Sequence, residues 1–377
     1  CDSRSFLNSI DVWTSNGMGA QQSIHAGKAK IEVNVDFTHQ FCAALMLSPS
    51  RSYGGPLSLV IGSLCVKLPN LFGRSEKFEV SCQKGLCNSN LLVAYRRPRP
   101  NWLAQQSLVI QHTVSPEIGV HGLPSDNLSH TDSGGVNLSK FSVGLDLDEH
   151  ASSNWSSTTS IKFEHICPLN DDGHSIIRDL DGFSVTCSGS PHDDMVILKQ
   201  ESKFAQANEC SFTRFSLQIE QGVPVLPKWL VFNRFKFVAS KGYRLGPSFL
   251  LTSLTGGSVV GDMAPYQALA IGGVGSIRGY SEGAVGCGTS CLTANSELTF
   301  PLSKMLEGAI FLDCGSDLGT GRHVPGNPCL RRGKPGSGFG IGYGLRFKSD
   351  FGHWELHFAV NAVRRRTVYF GISSMTV

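Results

Sequence analysis

From Ile31 onward the chain alternates apolar and polar residues with a period of two, and no helical period competes over any long stretch. Ile31, Val33, Val35 and Phe37 stand against Glu32, Asn34, Asp36 and Thr38. Phe141, Val143, Leu145 and Leu147 stand in the same way against Ser142, Gly144, Asp146 and Asp148. Successive side chains of a strand point to opposite faces, so each such segment has one greasy and one polar side. The pattern recurs in about sixteen segments, roughly 22 residues per strand with its connector, which suits a barrel of even strand number. The first strand falls near 31–47 and the last near 367–373. The fold expected is all-β, a transmembrane antiparallel β-barrel of about sixteen strands. A two-layer sandwich in water shares the alternation; at 377 residues it would usually split into two domains, and no linker is visible.

Composition narrows the function classes. Charged residues make up 17%, against about 25% in ordinary soluble chains. No apolar run of about 18 residues is present, so no transmembrane helix is expected, and barrel strands need none. A net charge of +3 is too small to argue for a nucleic-acid partner. Residues 1–29 are polar and Gly/Ser-rich and read as a tail or remnant, with the barrel over 30–377; Cys1 in first place suggests a partial or processed chain. The 12 cysteines are scattered without zinc-knuckle spacing, and the expectation is free thiols in a reducing compartment. His353 and His357, four apart, fall on a strand, so no metal site is expected. The spacing of Gly273, Gly275 and Gly279 is wrong for a dinucleotide loop, and no Gly-x-Ser-x-Gly elbow occurs. No catalytic residues, no cofactor and no enzymatic activity are expected.

One loop stands apart. Ile271 to Gly283 carries five glycines and a single cation, Arg278. A guanidinium at membrane depth is tolerable only in a wet or protein-lined interior with a partner. Downstream, Phe311 and Asp313 share strand parity, so both are able to face the lumen while Ile310 and Leu312 face lipid. Glu297 shares the polar face of its own strand with Asn295 and Thr299. Arg278 meeting Asp313, with Glu297 nearby, is one reading; a solvated Arg278 and an Asp313 that merely ends a strand is the other. Gly338, Gly340, Gly342 and Gly344 vacate one face of a later strand, either to admit a folded-in loop or to leave a smooth pore wall.

Gly275-Ser276-Ile277-Arg278-Gly279-Tyr280 resembles the arginine-bearing loop of the Omp85 superfamily, and Phe311-Leu312-Asp313-Cys314-Gly315 resembles its partner strand motif. Glu297, ahead of Phe300-Pro301, is similar to the acidic position between them, and Asn70-Leu71-Phe72-Gly73 to the turn between the second and third strands. The four pieces follow the family's order and cover nearly the whole chain from Ile31. The likeness is greatest to the plant outer-envelope branch. The family includes the bacterial barrel-assembly insertase, the mitochondrial sorting-and-assembly barrel and the chloroplast translocon channel. The resemblance therefore implies a multi-pass barrel of the chloroplast outer envelope, closed weakly between its first and last strands. It implies an inward-folded loop in which Arg278, Gly279 and Tyr280 contact Glu297, Phe311, Asp313 and Gly315. The implied role is insertion or assembly of β-barrel proteins, or protein translocation into plastids; the alternative is a passive pore. The implied partners are membrane lipid, client barrel or precursor proteins, and a full-length relative bearing the POTRA domains that residues 1–29 are too short to hold. The chain departs from bacterial members in ending on Ser374-Met375-Thr376-Val377 rather than an aromatic residue.

Overall fold

The computed structural model describes residues 42–45, 60–70, 75–85, 88–98, 104–121, 135–150, 152–208, 210–349 and 352–373. The tail expected over 1–29, the first strand expected near 31–47 apart from residues 42–45, and Leu71 to Gly73 of the turn motif lie outside them. All described residues belong to one compact unit, Cys42–Val377.

Strands β1 (Cys42–Leu45), β2 (Val60–Pro69), β3 (Lys77–Gly85), β4 (Ser89–Arg97), β5 (Gln105–Pro116) and β6 (Asn137–His150) come first. They are followed by β7 (Trp155–Leu169), β8 (Asp193–Ala207), β9 (Ser211–Val223), β10 (Phe232–Leu245) and β11 (Ser248–Gly261). A long loop holding the short pair β12 (Leu269–Ile271) and β13 (Gly286–Gly288) intervenes. The wall then continues as β14 (Ser290–Pro301), β15 (Leu306–Ser316), β16 (Ser337–Ser349), β17 (Gly352–Asn361) and β18 (Arg366–Ser373). Sixteen of these form one sheet in which every strand pairs antiparallel with its neighbour in the chain, the order stepping from β11 to β14. β1 and β18 stand at the two ends of that order, with no ladder between them among the described residues.

The two faces are inverted relative to a soluble protein. Outward positions are apolar and open: Ile161 is 55% exposed and Ile310 and Leu312 are each 51%. The intervening inward positions are polar and buried, among them Ser107, Ser142, Ser160, Glu220 and Thr293. A sandwich in water would bury the first set and solvate the second. A transmembrane barrel does what is seen, with an apolar belt facing lipid and a polar lumen. Lumen charges are paired across strands: Lys140 with Glu164 at 2.7 Å, Lys162 with Asp146 at 3.3 Å, and Arg234 with Glu220. Outward aromatic contacts flank the belt. Trp155–Phe204 and Trp354–Phe370 lie toward one end, and Phe163–Trp229 toward the other, as interfacial girdles do. Connections are short at the first end, as at 246–247 and 302–305, and long at the second, as at 170–192, 262–289 and 317–336.

The inverted polarity sets a test. Ile310→Lys should destabilise the folded protein in lipid vesicles by about 2–4 kcal/mol, measured by denaturant unfolding, because a lysine on the lipid face at mid-depth has no water. On a water-facing sheet the same exposed substitution would fall within about 0.5 kcal/mol.

Candidate functional site

The site is a patch of lumen wall on which the inward loop rests. Strand register lays it out in rungs. Asn295, Asp313, Gly340 and Asn361 are successive cross-strand partners on β14 to β17. One rung along, Glu297, Phe311, Gly342, Ala359 and Thr367 do the same and reach β18. Parity turns all of these side chains inward, toward residues 272–284 of the loop.

Arg278 is the centre. Its Nε donates to Asp313 Oδ2 at 2.7 Å and its Nη2 to Asp313 Oδ1 at 2.9 Å, a two-point fork. Its backbone N–H adds a third bond to Oδ2 at 3.1 Å. Nη1 donates to Glu297 Oε2 at 2.6 Å, while Glu297 Oε1 accepts from Arg346 Nη2 at 2.5 Å. The guanidinium carbon lies 3.5 Å from the centroid of Phe311, a cation–π contact made on a ring that is itself buried. Asp313 is wholly buried. Burial works against the charge of Arg278, but the bonds and charge of Asp313, then Glu297, outweigh it and raise its pKa. The ion stays charged because its planar fork is matched by two carboxylates.

The neighbouring residues anchor the loop backbone. Tyr369 of β18 accepts the Gly279 N–H at 2.8 Å and donates to the Tyr280 carbonyl at 2.8 Å. Asn361 Nδ2 donates to the Gly279 carbonyl at 3.1 Å, as Thr367 Oγ1 does at 3.3 Å. Asn295 Nδ2 donates to the Ser276 carbonyl at 2.6 Å. Gly279 has φ +99°, a conformation that a residue with a side chain rarely takes. Tyr280 packs with Ile271, Ile277 and Val285 in a small apolar cluster. Gly315 leaves room for Ile277, whose Cδ1 a Cβ there would approach to 3.0 Å. The glycine stripe of β16 is divided. A Cβ at Gly340 would come within 1.8 Å of the Arg278 carbonyl, and one at Gly338 within 3.0 Å of the Tyr280 ring, so these two admit the loop. Gly342 and Gly344 instead make space for Phe311 and His357 of the wall.

All seven residues singled out by sequence, Arg278, Gly279, Tyr280, Glu297, Phe311, Asp313 and Gly315, fall in this patch or directly under it. Sequence reasoning missed Asn295, Arg346, Asn361, Thr367 and Tyr369. Each stands at an inward position of its strand, and that parity is the only signal they carry.

Residues 70–375 match the Omp85 superfamily domain. The chain belongs to the Omp85 superfamily. It is 67% identical over 358 residues to outer envelope protein 39, chloroplastic, of Arabidopsis thaliana, covering 95% of this chain and 99% of that one. It is 39% identical over 324 residues to outer envelope protein 80, chloroplastic, of the same plant, covering 84% of this chain and 43% of that one. Among solved structures, BamA from Haemophilus ducreyi lacking POTRA domains 1-3 superposes with a TM-score of 0.70 at 13% identity. That match covers 98% of this chain and 75% of BamA, and at such identity the likeness is one of fold. The protein is thus a multi-pass Omp85 barrel of the chloroplast outer envelope.

Around the patch, the long loops of this Omp85 barrel are knitted together. Helix α1 (Ile118–His121) lies between β5 and β6, and helix α2 (Pro328–Arg331) between β15 and β16. Lys334 donates to the carbonyls of Gly119 and Val120, each at 3.0 Å, closing the end of α1. Arg331 reaches Asp181 at 2.9 Å and Asp179 at 3.2 Å in the β7–β8 loop and lies over Phe183. Cys287 of β13 and Cys329 of α2 are joined as a disulfide, which corrects the expectation of thiols free throughout. The two are 42 residues apart and meet only because the inward loop and the β15–β16 loop pack against each other, so spacing gave no sign of the pair. Glu282, near Arg278 in the same loop, has its carboxyl pushed up to about 7 by burial. The loop leaves part of the lumen open: a cavity of about 390 Å³ lies beside it, lined by Lys236, Thr255, Ser276, Glu282 and Thr293 among others.

Close backbone approach at Gly340 makes the seating testable. Gly340→Ala should destabilise the folded barrel by about 1–3 kcal/mol, since the added methyl meets a carbonyl rather than a flexible side-chain end. Gly371→Ala should be close to neutral, because its Cβ meets nothing nearer than 3.8 Å. Urea unfolding of both variants in detergent micelles measures the difference.

Proposed function

We propose that this Omp85 barrel acts in the insertion and assembly of β-barrel proteins in the chloroplast outer envelope, or in moving precursor proteins across it. The observation that carries this reading is the strand order: β1 and β18 end the sheet without pairing among the described residues. The inward loop is bonded to β18 itself through Tyr369 and Thr367. An unpaired strand edge offers a row of N–H and C=O groups on which an incoming strand is able to pair. The latch on β18 holds that edge in shape while the β1 side moves. Client barrel precursors and membrane lipid are the partners this reading implies, and no covalent chemistry is involved. A passive pore is the second reading, favoured by the open cavity beside the loop.

Bridging the seam separates the two. Cysteines placed in pairs, at Ala43 or Ala44 on β1 and at Val368 on β18, are joined with a bifunctional thiol reagent. Bridged protein in liposomes should lose its acceleration of client-barrel folding, while each single-cysteine variant treated identically keeps it. Undiminished acceleration by the bridged protein would remove the seam as the route. Conductance without acceleration in the unbridged protein would establish the pore.

A further inference from the structure

The loop from β7 to β8 brings two imidazoles and a carboxylate together on the outer face of the wall. His165 on β7 and Asp194 on β8 are direct cross-strand partners. His165 Nδ1 lies 2.6 Å from Asp194 Oδ1. His192, at the end of the loop, places Nε2 3.6 Å from Asp194 Oδ2. The rings stand 4.9 Å apart, and one donor atom from each of the three residues lies within 4.8 Å of the others. Strand parity sets His165 and Asp194 in line with the lipid-facing Ile161 and Leu198. They sit one step beyond the Phe163–Trp229 contact, at the membrane–water rim on the long-loop side.

The arrangement is held from behind. Asp193, wholly buried, accepts the N–H of Cys187 at 3.0 Å, the N–H of Ser188 at 2.8 Å and the hydroxyl of Tyr266 at 2.8 Å. Ser188 Oγ donates to the His192 carbonyl at 2.7 Å. The turn bearing His192 is therefore fixed to the wall before any ligand arrives. On the far side of the His165 ring, Cys167 Sγ lies 3.5 Å from Nε2. A proton on Nε2 directed at that sulfur leaves the Nδ1 lone pair facing His192 and Asp194. Metal-binding histidines are oriented in this way, by a partner on the second ring nitrogen.

The geometry points to a binding site for one divalent transition-metal ion of the zinc class, held by His165, His192 and Asp194. Two imidazoles and a carboxylate favour zinc, copper or nickel over magnesium or calcium, and three protein donors leave a position for water. The ion takes the place of the hydrogen between His165 Nδ1 and Asp194 Oδ1, and the neutral imidazole then carries its one proton on Nε2. Nδ1 and Oδ1 separate by about half an ångström to reach metal–ligand bonds of about 2 Å. Bound there, the ion ties the β7–β8 loop to the strand ends at the membrane surface.

The test uses tag-free protein folded in micelles, stripped with chelator and titrated with Zn²⁺ alone against a chromophoric competitor. One equivalent should bind. Asp194→Asn and His192→Gln should each weaken binding at least about tenfold, and Cys167→Ser should weaken it by a smaller factor. His112→Gln, elsewhere on the wall, should leave it unchanged. Zinc should also slow proteolysis within 170–192 in the parent but not in His192→Gln. His192 lies in the loop outside the strands, so its replacement leaves the wall intact, and heat-modifiable gel mobility verifies folding. No zinc bound by the folded parent, or equal affinity in parent and His192→Gln, would overturn the proposal.

Discussion

A guanidinium inside a membrane barrel has to be answered by fixed charge, and much of this structure is arranged around that requirement. Arg278 enters the lumen on a loop with little regular structure of its own. What holds it is a fork onto Asp313, a bond to Glu297 and the face of Phe311. Removing one partner of such a buried pair typically costs about 3–5 kcal/mol, less where water reaches it. Several other features follow from the same seating. Gly340 gives up its side chain to the Arg278 carbonyl, Gly279 takes a left-handed turn, and β17 and β18 supply Asn361, Thr367 and Tyr369 to the backbone on either side.

The same contacts join the loop to the end of the sheet. Tyr369 donates to one loop carbonyl and accepts from one loop N–H, and Thr367 donates to a second carbonyl, so the loop backbone and β18 are tied through two hydroxyls. At the other end of the loop, the Cys287–Cys329 disulfide and the contacts of Lys334 bind its base to neighbouring loops. Fastened at base and tip, the loop braces the wall formed by β14 to β18.

Sequence made the wall legible and the loop only partly so. Period-two alternation places Ile310 and Leu312 outward and Phe311 and Asp313 inward because strand geometry allows no other parity. The number of strands follows from how often the pattern recurs. Alternation is silent on whether the greasy face meets lipid or another sheet; resemblance to a family, carried by Arg278, Glu297 and Asp313, was needed for that. It is equally silent on Tyr369 and Asn361, whose inward parity looks like that of any lumen residue until the path of the loop is known. Cys287 with Cys329, and His165 with His192, come together through long loops, where chain separation says nothing about distance.

The most direct measurement is a double-mutant cycle on Arg278 and Asp313, with Arg278→Ala, Asp313→Ala and the double variant unfolded by urea in micelles. If the fork seats the loop, the two changes are strongly non-additive, with a coupling of about 2 kcal/mol or more. A coupling below about 0.5 kcal/mol, with each single variant as stable as the parent, would contradict it and leave Arg278 an incidental occupant of the lumen.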